Sequence, residues 1–281
     1  MRIVDAQVHI WSADPTDWVP LDGTAQARAW GRRFSLDELL EAMRAAGVAG
    51  AALIPPRWEG RGDAVVLEAA DRHPEAFIAV SRLDPFAPHA VGRAGDPARG
   101  IRAVRTMLGS PAEHERILSG HADPVWAAAE SRGTPVMIYP PHDLGVVERL
   151  AEAFPRLRIA VDHLGLPVGT RIAEATDRLR RLVRLARHPS VSVKATALPT
   201  TADDAFPFAS THDALRRVVD AFGPERVFWG SDLSRLECPY EDAVGLALEA
   251  LEDHGAAARE LVMGGALEAW LSPRTAAGTA A

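Results

Sequence analysis

Residues that can exchange protons or bind metal ions recur in this sequence where short apolar runs end. Gln7 and His9 lie in the first such run, His163 follows a later one, and Asp232 follows the last. Imidazole and carboxylate groups are common acids, bases and metal ligands of enzymes. Chance would scatter these groups through loops, so their positions predict a polar catalytic or binding site where the strands end.

The apolar runs are rich in β-branched side chains and are typical of buried strands. They are spaced widely enough for a helical crossover between each run and the next. The eight runs are Ile3–Ile10, Gly50–Ile54, Ala76–Leu83, Ile101–Met107, Pro135–Tyr139, Leu157–Asp162, Val191–Ala195 and Val227–Gly230.

The stretches between the runs carry helix signals. Ser35 and Glu38 predict a capping box, and Gly47 predicts the end of the same helix. Strict alternation of strands and helices indicates a parallel sheet. Eight strands favour a closed (β/α)8 barrel, the TIM barrel. The alternative is a doubly wound open sheet, which usually has a glycine-rich phosphate turn after its first strand, and residues 5–9 do not form one.

A barrel restricts which side chains can meet, because functional residues lie at the carboxyl ends of its strands. The two-residue repeat of a strand places Gln7 and His9 on the same face, toward the barrel interior. The same alternation places Asp162 opposite to His163, so we expect Asp162 to face the helices.

Other polar and aromatic groups are expected near this mouth. Lys194 lies in an otherwise apolar run, and a buried lysine needs a partner, which we expect to be Asp232. Arg102 and Arg105 are three residues apart, so a regular strand directs only one of them inward. Trp11 is expected to form a wall of the pocket.

The chain is predicted to form a single barrel domain over residues 1–271. A lid-like insertion is expected near residues 14–31 and a flexible tail at residues 272–281. Apolar residues make up 47% and charged residues 25% of the chain, the balance of an ordinary globular protein. The lone Cys238 excludes an internal disulfide and a cysteine-based zinc site.

Charge and targeting signals narrow the classes of function. The net charge of −7 argues against a nucleic-acid partner. No apolar run approaches the length of a membrane span and no signal peptide is recognisable, so no membrane partner is expected. These features predict a cytoplasmic protein that acts on a small molecule, and the base rate for homo-oligomers predicts a homodimer.

Several short motifs occur along the chain in the order that characterises a known protein family. That family has Asp-x-His-x-His on strand one, a His after strands five and six, and a Gly-Ser/Thr-Asp turn after strand eight. The matching pieces are Asp5–Trp11, Asp162–Gly165, Val193–Lys194 and Phe228–Asp232. The chain resembles the amidohydrolase superfamily, in the branch called amidohydrolase-related or amidohydrolase 2. The resemblance implies a TIM-barrel hydrolase.

Two positions depart from the metal site of that family. Gln7 replaces the first histidine of the strand-one pair, and Tyr139 replaces the strand-five histidine, with His142 three residues later. Gln is a poor zinc ligand beside imidazole. We therefore expect no cofactor, with a single divalent zinc ion as the alternative. The ligands of such an ion would be His9, His163 and Asp232.

One branch of the family, the 2-pyrone-4,6-dicarboxylate lactonases, hydrolyses a cyclic ester without a metal. Similarity to this branch implies that Asp232 activates water and that His9 and His163 bind the oxyanion. Lys194 completes the expected catalytic set. The residues expected to contact the substrate are Gln7, Trp11, Arg57, Arg102, Arg105, Tyr139, His142 and Arg235. The reaction expected is hydrolysis of a small lactone or cyclic ester. We expect this substrate to carry a carboxylate, because an arginine can donate two parallel hydrogen bonds to a carboxylate.

Two other functions remain open from the sequence. Relatives in the same family decarboxylate aromatic or dienoic acids, usually with zinc, and a retained metal would favour that reaction. A barrel that has lost catalysis and binds or isomerises a metabolite would also show the losses at Gln7 and Tyr139. The charged groups kept at the mouth argue against a protein that has simply lost its activity, because unpaired buried charges are costly to keep.

Overall fold

A computed structural model describes residues 1–12, 14–19 and 35–272 of the chain. Within these residues eight parallel strands form one sheet, in which each strand pairs with the next along the sequence. The strands are β1 (Val4–His9), β2 (Gly50–Ile54), β3 (Phe77–Arg82), β4 (Ile101–Met107), β5 (Val136–Tyr139), β6 (Ile159–Val161), β7 (Val191–Thr196) and β8 (Val227–Gly230). The fold is a (β/α)8 barrel, as predicted.

Helices connect the strands and cover the outer face of the barrel. They are α1 (Leu36–Ala46), α2 (Ala64–Arg72), α3 (Ala90–Gly95), α4 (Pro111–Leu118), α5 (Asp123–Arg132), α6 (Gly145–Ala153), α7 (Thr176–Arg184), α8 (Leu198–Thr201), α9 (His212–Phe222), α10 (Tyr240–Ala250), α11 (Gly255–Glu260) and α12 (Ala266–Leu271). The predicted capping box is confirmed, because Ser35 and Glu38 bond reciprocally at the start of α1 and Gly47 ends it in the left-handed conformation.

Two apolar clusters hold the barrel together. The larger one joins outward-facing strand residues such as Val8 and Leu53 to the surrounding helices. The smaller one fills the interior near the amino ends of the strands, where the ring of Phe228 lies 5.4 Å from that of Trp270 in α12. Because apolar side chains fill this end, the polar interior residues lie toward the carboxyl ends of the strands.

The barrel closes where β8 meets β1. The backbone N–H of Asp232 donates to the carbonyl of Gln7 at 3.0 Å, and the carboxylate of Asp5 accepts from the N–H of Ser231 at 2.9 Å. The pairing of β1 with β2 shifts register between Asp5 and Val8. The segments that close the barrel are therefore the same ones that carry the predicted site residues.

The predicted lid is described only in part. Residues 14–19 contain a short 3-10 turn, Pro15–Asp17, and an isolated antiparallel bridge joins Trp18 to Glu59. The rest of the predicted insertion, residues 20–31, lies outside the described residues, as do residues 273–281 of the predicted tail. No helix in the described part of the chain is long and apolar enough to cross a membrane.

Candidate active site

The site is built around Asp232, in the turn that follows β8. Its backbone has a left-handed φ of 52°. Gly230 allows β8 to approach β1 closely, since a Cβ at this position would lie 2.7 Å from Asp5 Oδ1 and 2.9 Å from the backbone nitrogen of Ala6. Asp5 also accepts a hydrogen bond from the hydroxyl of Tyr240 at 2.6 Å. Together these contacts fix the turn that presents Asp232.

Three side chains from separate parts of the barrel face the carboxylate of Asp232. Oδ1 lies 3.4 Å from His9 Nε2, while Oδ2 lies 3.9 Å from His163 Nε2 and 3.3 Å from Arg235 Nη1. Burial alone would raise the pKa of Asp232, but the basic groups around it, among them the guanidinium groups of Arg235 and Arg105, hold the pKa below its ordinary value. Oδ1 has no hydrogen-bond partner among the described residues. The group is an ionised carboxylate with one oxygen able to accept a proton.

The hydrogen bonds of His9 define its tautomer. Nδ1 lies 2.8 Å from the carbonyl oxygen of Ile54, which can only accept, so Nδ1 carries the proton. Nε2 lies 3.0 Å from Gln7 Nε2, and the amide group donates to it. Burial lowers the pKa of His9, so the ring is neutral. In this form Nε2 is an acceptor, which differs from the expectation that His9 donates to an oxyanion.

His163 is suited to the donor role. It follows β6, and its Nδ1 lies 2.7 Å from the hydroxyl of Thr196. The hydroxyl can donate to Nδ1, and in that arrangement the ring proton lies on Nε2, which faces Asp232. Burial lowers the pKa of His163 to about 3. Its ring packs edge-on against Tyr139, with 5.3 Å between centroids, and the Tyr139 hydroxyl accepts from the N–H of Val168 at 3.0 Å.

Lys194 is completely buried on β7, and its ion-pair partner is Asp162 rather than Asp232. Its Nζ lies 3.0 Å from Asp162 Oδ1 and donates to the amide oxygen of Gln7. Arg105 Nε donates to the other oxygen of Asp162 at 2.6 Å. Burial alone would raise the pKa of Asp162, but the two cations outweigh it and hold the pKa well below its ordinary range. The guanidinium of Arg105 thus binds a carboxylate of the protein.

The prediction that Asp162 faces the helices is wrong. The strand β6 ends at Val161, and the following residue begins a turn in which His163 and Leu164 both have positive φ. Strand alternation therefore does not apply to Asp162. It turns into the barrel, where Lys194 on the neighbouring strand meets it.

Aromatic and arginine side chains also lie near the carboxyl ends of the strands. Trp11 and Trp58 are both buried and meet edge-to-face, with 5.4 Å between centroids. Arg57 and Arg82 line a cavity of about 560 Å³ that also contacts residues following β3 and β4. Arg235 lines a second cavity, of about 540 Å³, with residues that follow β6, β7 and β8.

Two residues expected in the site lie outside it. Arg102 is exposed, and it is the second residue of β4, roughly 10 Å along the strand from Arg105 and toward the opposite end of the barrel. His142 is also exposed, and its Nε2 lies 3.0 Å from the carbonyl oxygen of Gly109. Its loop carries it away from Asp232, so it does not replace the missing strand-five histidine.

Comparison with known proteins agrees with this architecture. A sequence model described as amidohydrolase matches residues 4–270. The chain belongs to the amidohydrolase family. The L-fucono-1,5-lactonase of Burkholderia ambifaria is 28% identical over 248 residues, which make up 85% of this chain and 83% of that protein.

Solved structures of other proteins share the fold of this amidohydrolase. An amidohydrolase of Burkholderia multivorans with bound zinc has a TM-score of 0.81 and 22% identity, and the match covers 96% of this chain and 99% of that one. A proposed 2-pyrone-4,6-dicarboxylic acid hydrolase of Pseudomonas putida has a TM-score of 0.70 and 21% identity, with 98% of each chain covered.

The donor atoms around Asp232 in this amidohydrolase do not fit a zinc site of three protein ligands. The lone pair of His9 Nε2 is directed at the amide of Gln7, and the amide oxygen is bound by Lys194. Zinc needs deprotonated, unengaged nitrogen or oxygen donors. Among the described residues around Asp232, this leaves His163 and Asp232 as possible ligands.

A group of three potential ligand atoms within 4.8 Å of one another does occur among the described residues, but elsewhere. It comprises Glu148, Glu152 and His188. Both carboxylates lie on α6, on the outer wall, and Arg187 contacts each of them. These residues form a surface ion-pair cluster that is separate from the barrel mouth.

Several contributors to the site were not identified from the sequence. Asp5 belongs to the first motif, but its contact with Ser231 depends on barrel closure. Thr196 lies one residue beyond the predicted seventh strand, and Arg82 ends β3 without any motif. The carbonyl of Ile54, which sets the tautomer of His9, carries no side-chain signal at all.

Proposed function

We propose that this amidohydrolase opens a small carboxylated lactone or cyclic ester by attack of water, with Asp232 as the general base and without a metal ion. The observation that carries the proposal is the Asp232 carboxylate, which is buried and ionised and has an unpaired oxygen among the described residues. Such a group can deprotonate water next to an activated carbonyl.

The reaction follows from the donors and acceptors around that carboxylate. Asp232 Oδ1 takes a proton from water as the water oxygen bonds to the lactone carbonyl carbon. The N–H of His163 Nε2 stabilises the oxyanion, with Thr196 holding the tautomer. When the ring C–O bond breaks, the proton on Asp232 passes to the leaving oxygen, and the products are an open hydroxy acid and a regenerated base.

Metal independence is supported by the surroundings of Gln7. Its amide is directed toward Lys194 on one side and His9 on the other, so it is committed to hydrogen bonds within the protein. An ester carbonyl needs less activation than an amide carbonyl, and fixed N–H donors can supply that activation.

The substrate carboxylate is supported by arginines on both sides of the mouth. Arg57 and Arg82 line one cavity and Arg235 lines the other. Guanidinium groups bind carboxylates by paired hydrogen bonds. The names of the lactonase and the 2-pyrone-4,6-dicarboxylic acid hydrolase to which this chain is similar point to the same bond type.

The experiment is hydrolysis of a lactone panel by chelator-treated wild type and by Asp232→Asn. The panel includes 2-pyrone-4,6-dicarboxylate and L-fucono-1,5-lactone. We expect wild type to open at least one member, and Asp232→Asn to lower kcat by about 100-fold or more, since an amide cannot take the proton. Asp177→Asn, at an exposed position of α7, is the control.

Other outcomes would change the proposal. Full activity of Asp232→Asn would exclude the carboxylate as the base. Activity that appears only after zinc is added would exclude the metal-free reaction. Release of carbon dioxide from a carboxylated substrate, with no lactone opened, would indicate a decarboxylase.

A further inference from the structure

The turn that carries His163 has an unusual backbone. His163, Leu164 and Gly165 have φ values of 54°, 53° and 66°, so three successive residues adopt the left-handed conformation. Residues other than glycine are strained in this conformation, and such strain persists only where the surrounding structure fixes the backbone. The pairing of β6 with β7 extends only to Val161. The turn lies beyond this ladder, so contacts from elsewhere must hold it.

Arg178, near the start of α7, binds this turn through its guanidinium group. Nε donates to the carbonyl oxygen of Gly165. Nη2 donates to the carbonyl oxygen of Pro140 at 2.6 Å, and Nη1 donates to that of His142 at 3.4 Å. All three acceptors are backbone groups, and the last two belong to the loop that follows β5. One half-buried side chain thus joins the loops that follow two neighbouring strands.

The two joined loops carry side chains of the candidate site. Pro140 directly follows Tyr139, and Gly165 comes two residues after His163. The rings of Tyr139 and His163 meet edge-on, with 5.3 Å between centroids. His163 Nε2 lies 3.9 Å from Asp232 Oδ2. A movement of one loop relative to the other would therefore move the imidazole relative to both of these neighbours.

The guanidinium group suits three carbonyl acceptors that lie on two different loops. Arginine presents its N–H donors from three nitrogen atoms in a fixed plane, whereas lysine donates from a single nitrogen at the end of a flexible chain. A lysine at position 178 could keep the charge and one of the contacts. It could not hold the carbonyls of Gly165 and Pro140 in the same fixed relation.

We propose that Arg178 is a positioning residue that holds the strained turn after β6 against the loop after β5 and so fixes the imidazole of His163 beside Tyr139 and Asp232. The residue acts through the backbone of the two loops. The effect on rate rests on the proposed function, in which His163 stabilises the oxyanion, whereas the position of the ring does not.

The test measures the position of the His163 ring without a substrate. The ring current of Tyr139 shifts the proton signals of the neighbouring imidazole, and NMR of histidine-labelled full-length protein detects those signals. His163→Gln identifies which of them belong to His163. We expect Arg178→Met to change the chemical shifts of the His163 ring protons and to leave those of His121, at an exposed position, as in wild type.

Arg181→Met is the matched control. Arg181 is exposed, lies three residues further along α7, and binds Asp143 in the same loop after β5. Its replacement removes the same charge from the same helix and one contact of that loop. It leaves the contacts of Arg178 with the turn after β6 in place, so we expect wild-type His163 signals.

Two results would overturn the proposal. Wild-type His163 signals in a folded Arg178→Met protein would show that the turn does not depend on Arg178. Equal changes in Arg178→Met and Arg181→Met would assign the effect to helix charge or to the loop after β5 alone. Thermal unfolding shows whether each variant is folded. If Arg178→Met does not fold, Arg178→Lys decides, since changed His163 signals support the proposal and wild-type signals overturn it.

Kinetics separate the positioning role from the proposed function. With a lactone that wild type hydrolyses, Arg178→Met should lower kcat about tenfold or more and change KM by less than about twofold, because the lost interaction serves the transition state. Arg181→Met should keep both constants. An unchanged kcat together with a displaced His163 ring would overturn the catalytic consequence. If no lactone is hydrolysed, the NMR result still decides whether Arg178 positions His163.

Discussion

Burial of His163 has a consequence for stability that can be measured without a substrate. Its pKa in the folded protein is about 3, well below the ordinary value of 6.5. As the pH falls below about 6.5 the unfolded chain binds a proton there, whereas the folded protein does not until the pH nears the lower value. The free energy of unfolding therefore decreases as the pH falls through this window.

We expect His163→Gln to remove this dependence. Between about pH 7 and about pH 5 the imidazole should account for about 2 kcal/mol of the loss of stability, which urea denaturation of both proteins measures. His121→Gln, at an exposed position, is the control. Burial raises the pKa of Asp5 to about 6, which changes stability in the opposite direction, but this effect is common to all three proteins. Parallel pH profiles for wild type and His163→Gln would contradict the buried, neutral imidazole.

At the scale of the elements, β8 must approach β1 closely to close the barrel. A Cβ on Gly230 would lie 2.7 Å from both Asp5 Oδ1 and Thr196 Cγ2. We expect Gly230→Ala to cost about 1–3 kcal/mol of stability, as overpacking does, and to lower kcat because the turn that carries Asp232 moves. Thermal unfolding and kinetics check both effects.

Gly92→Ala is the matched control for that prediction. Gly92 lies in α3, and apart from the backbone of its own helix no described atom lies within 4 Å of the position that a Cβ would take there. Alanine is favoured over glycine in a helix by about 1 kcal/mol, so this variant should be as stable as wild type or more stable. If Gly230→Ala and Gly92→Ala were equally stable, the close approach of β8 to β1 at Gly230 would not be needed for the stability of the fold.

The strands and helices also show which features of the structure the sequence patterns predict. Strand runs and capping signals are local, so all eight strands occur close to where the apolar runs predict them. The motif residues His9, His163 and Asp232 also lie close together. Contacts that depend on barrel geometry were not predictable. Lys194 binds Asp162 because β6 and β7 are neighbours and a left-handed turn follows β6.

At the scale of the whole molecule, the net charge of −7 would repel an anionic substrate. Attraction of a carboxylate must therefore come from arginines placed at the mouth. Arg57 is exposed beside Arg82 in the cavity over β3 and β4, whereas Arg102 is exposed toward the amino end of β4. Arg102 has the same charge but lies at the opposite end of the barrel. Variants at Arg57 and Arg102 therefore distinguish local recognition of the carboxylate from an effect of the overall charge.

We expect Arg57→Met to raise KM for a carboxylated lactone about tenfold and to leave kcat nearly unchanged, since the lost contact serves substrate and transition state alike. A matched neutral lactone should be unaffected. Arg102→Met should behave as wild type with both compounds, although it changes the net charge equally. Steady-state kinetics of the two variants with the two lactones gives the comparison. Equal losses in both variants would assign the effect to overall charge, and equal losses with both lactones would show that Arg57 does not recognise the carboxylate.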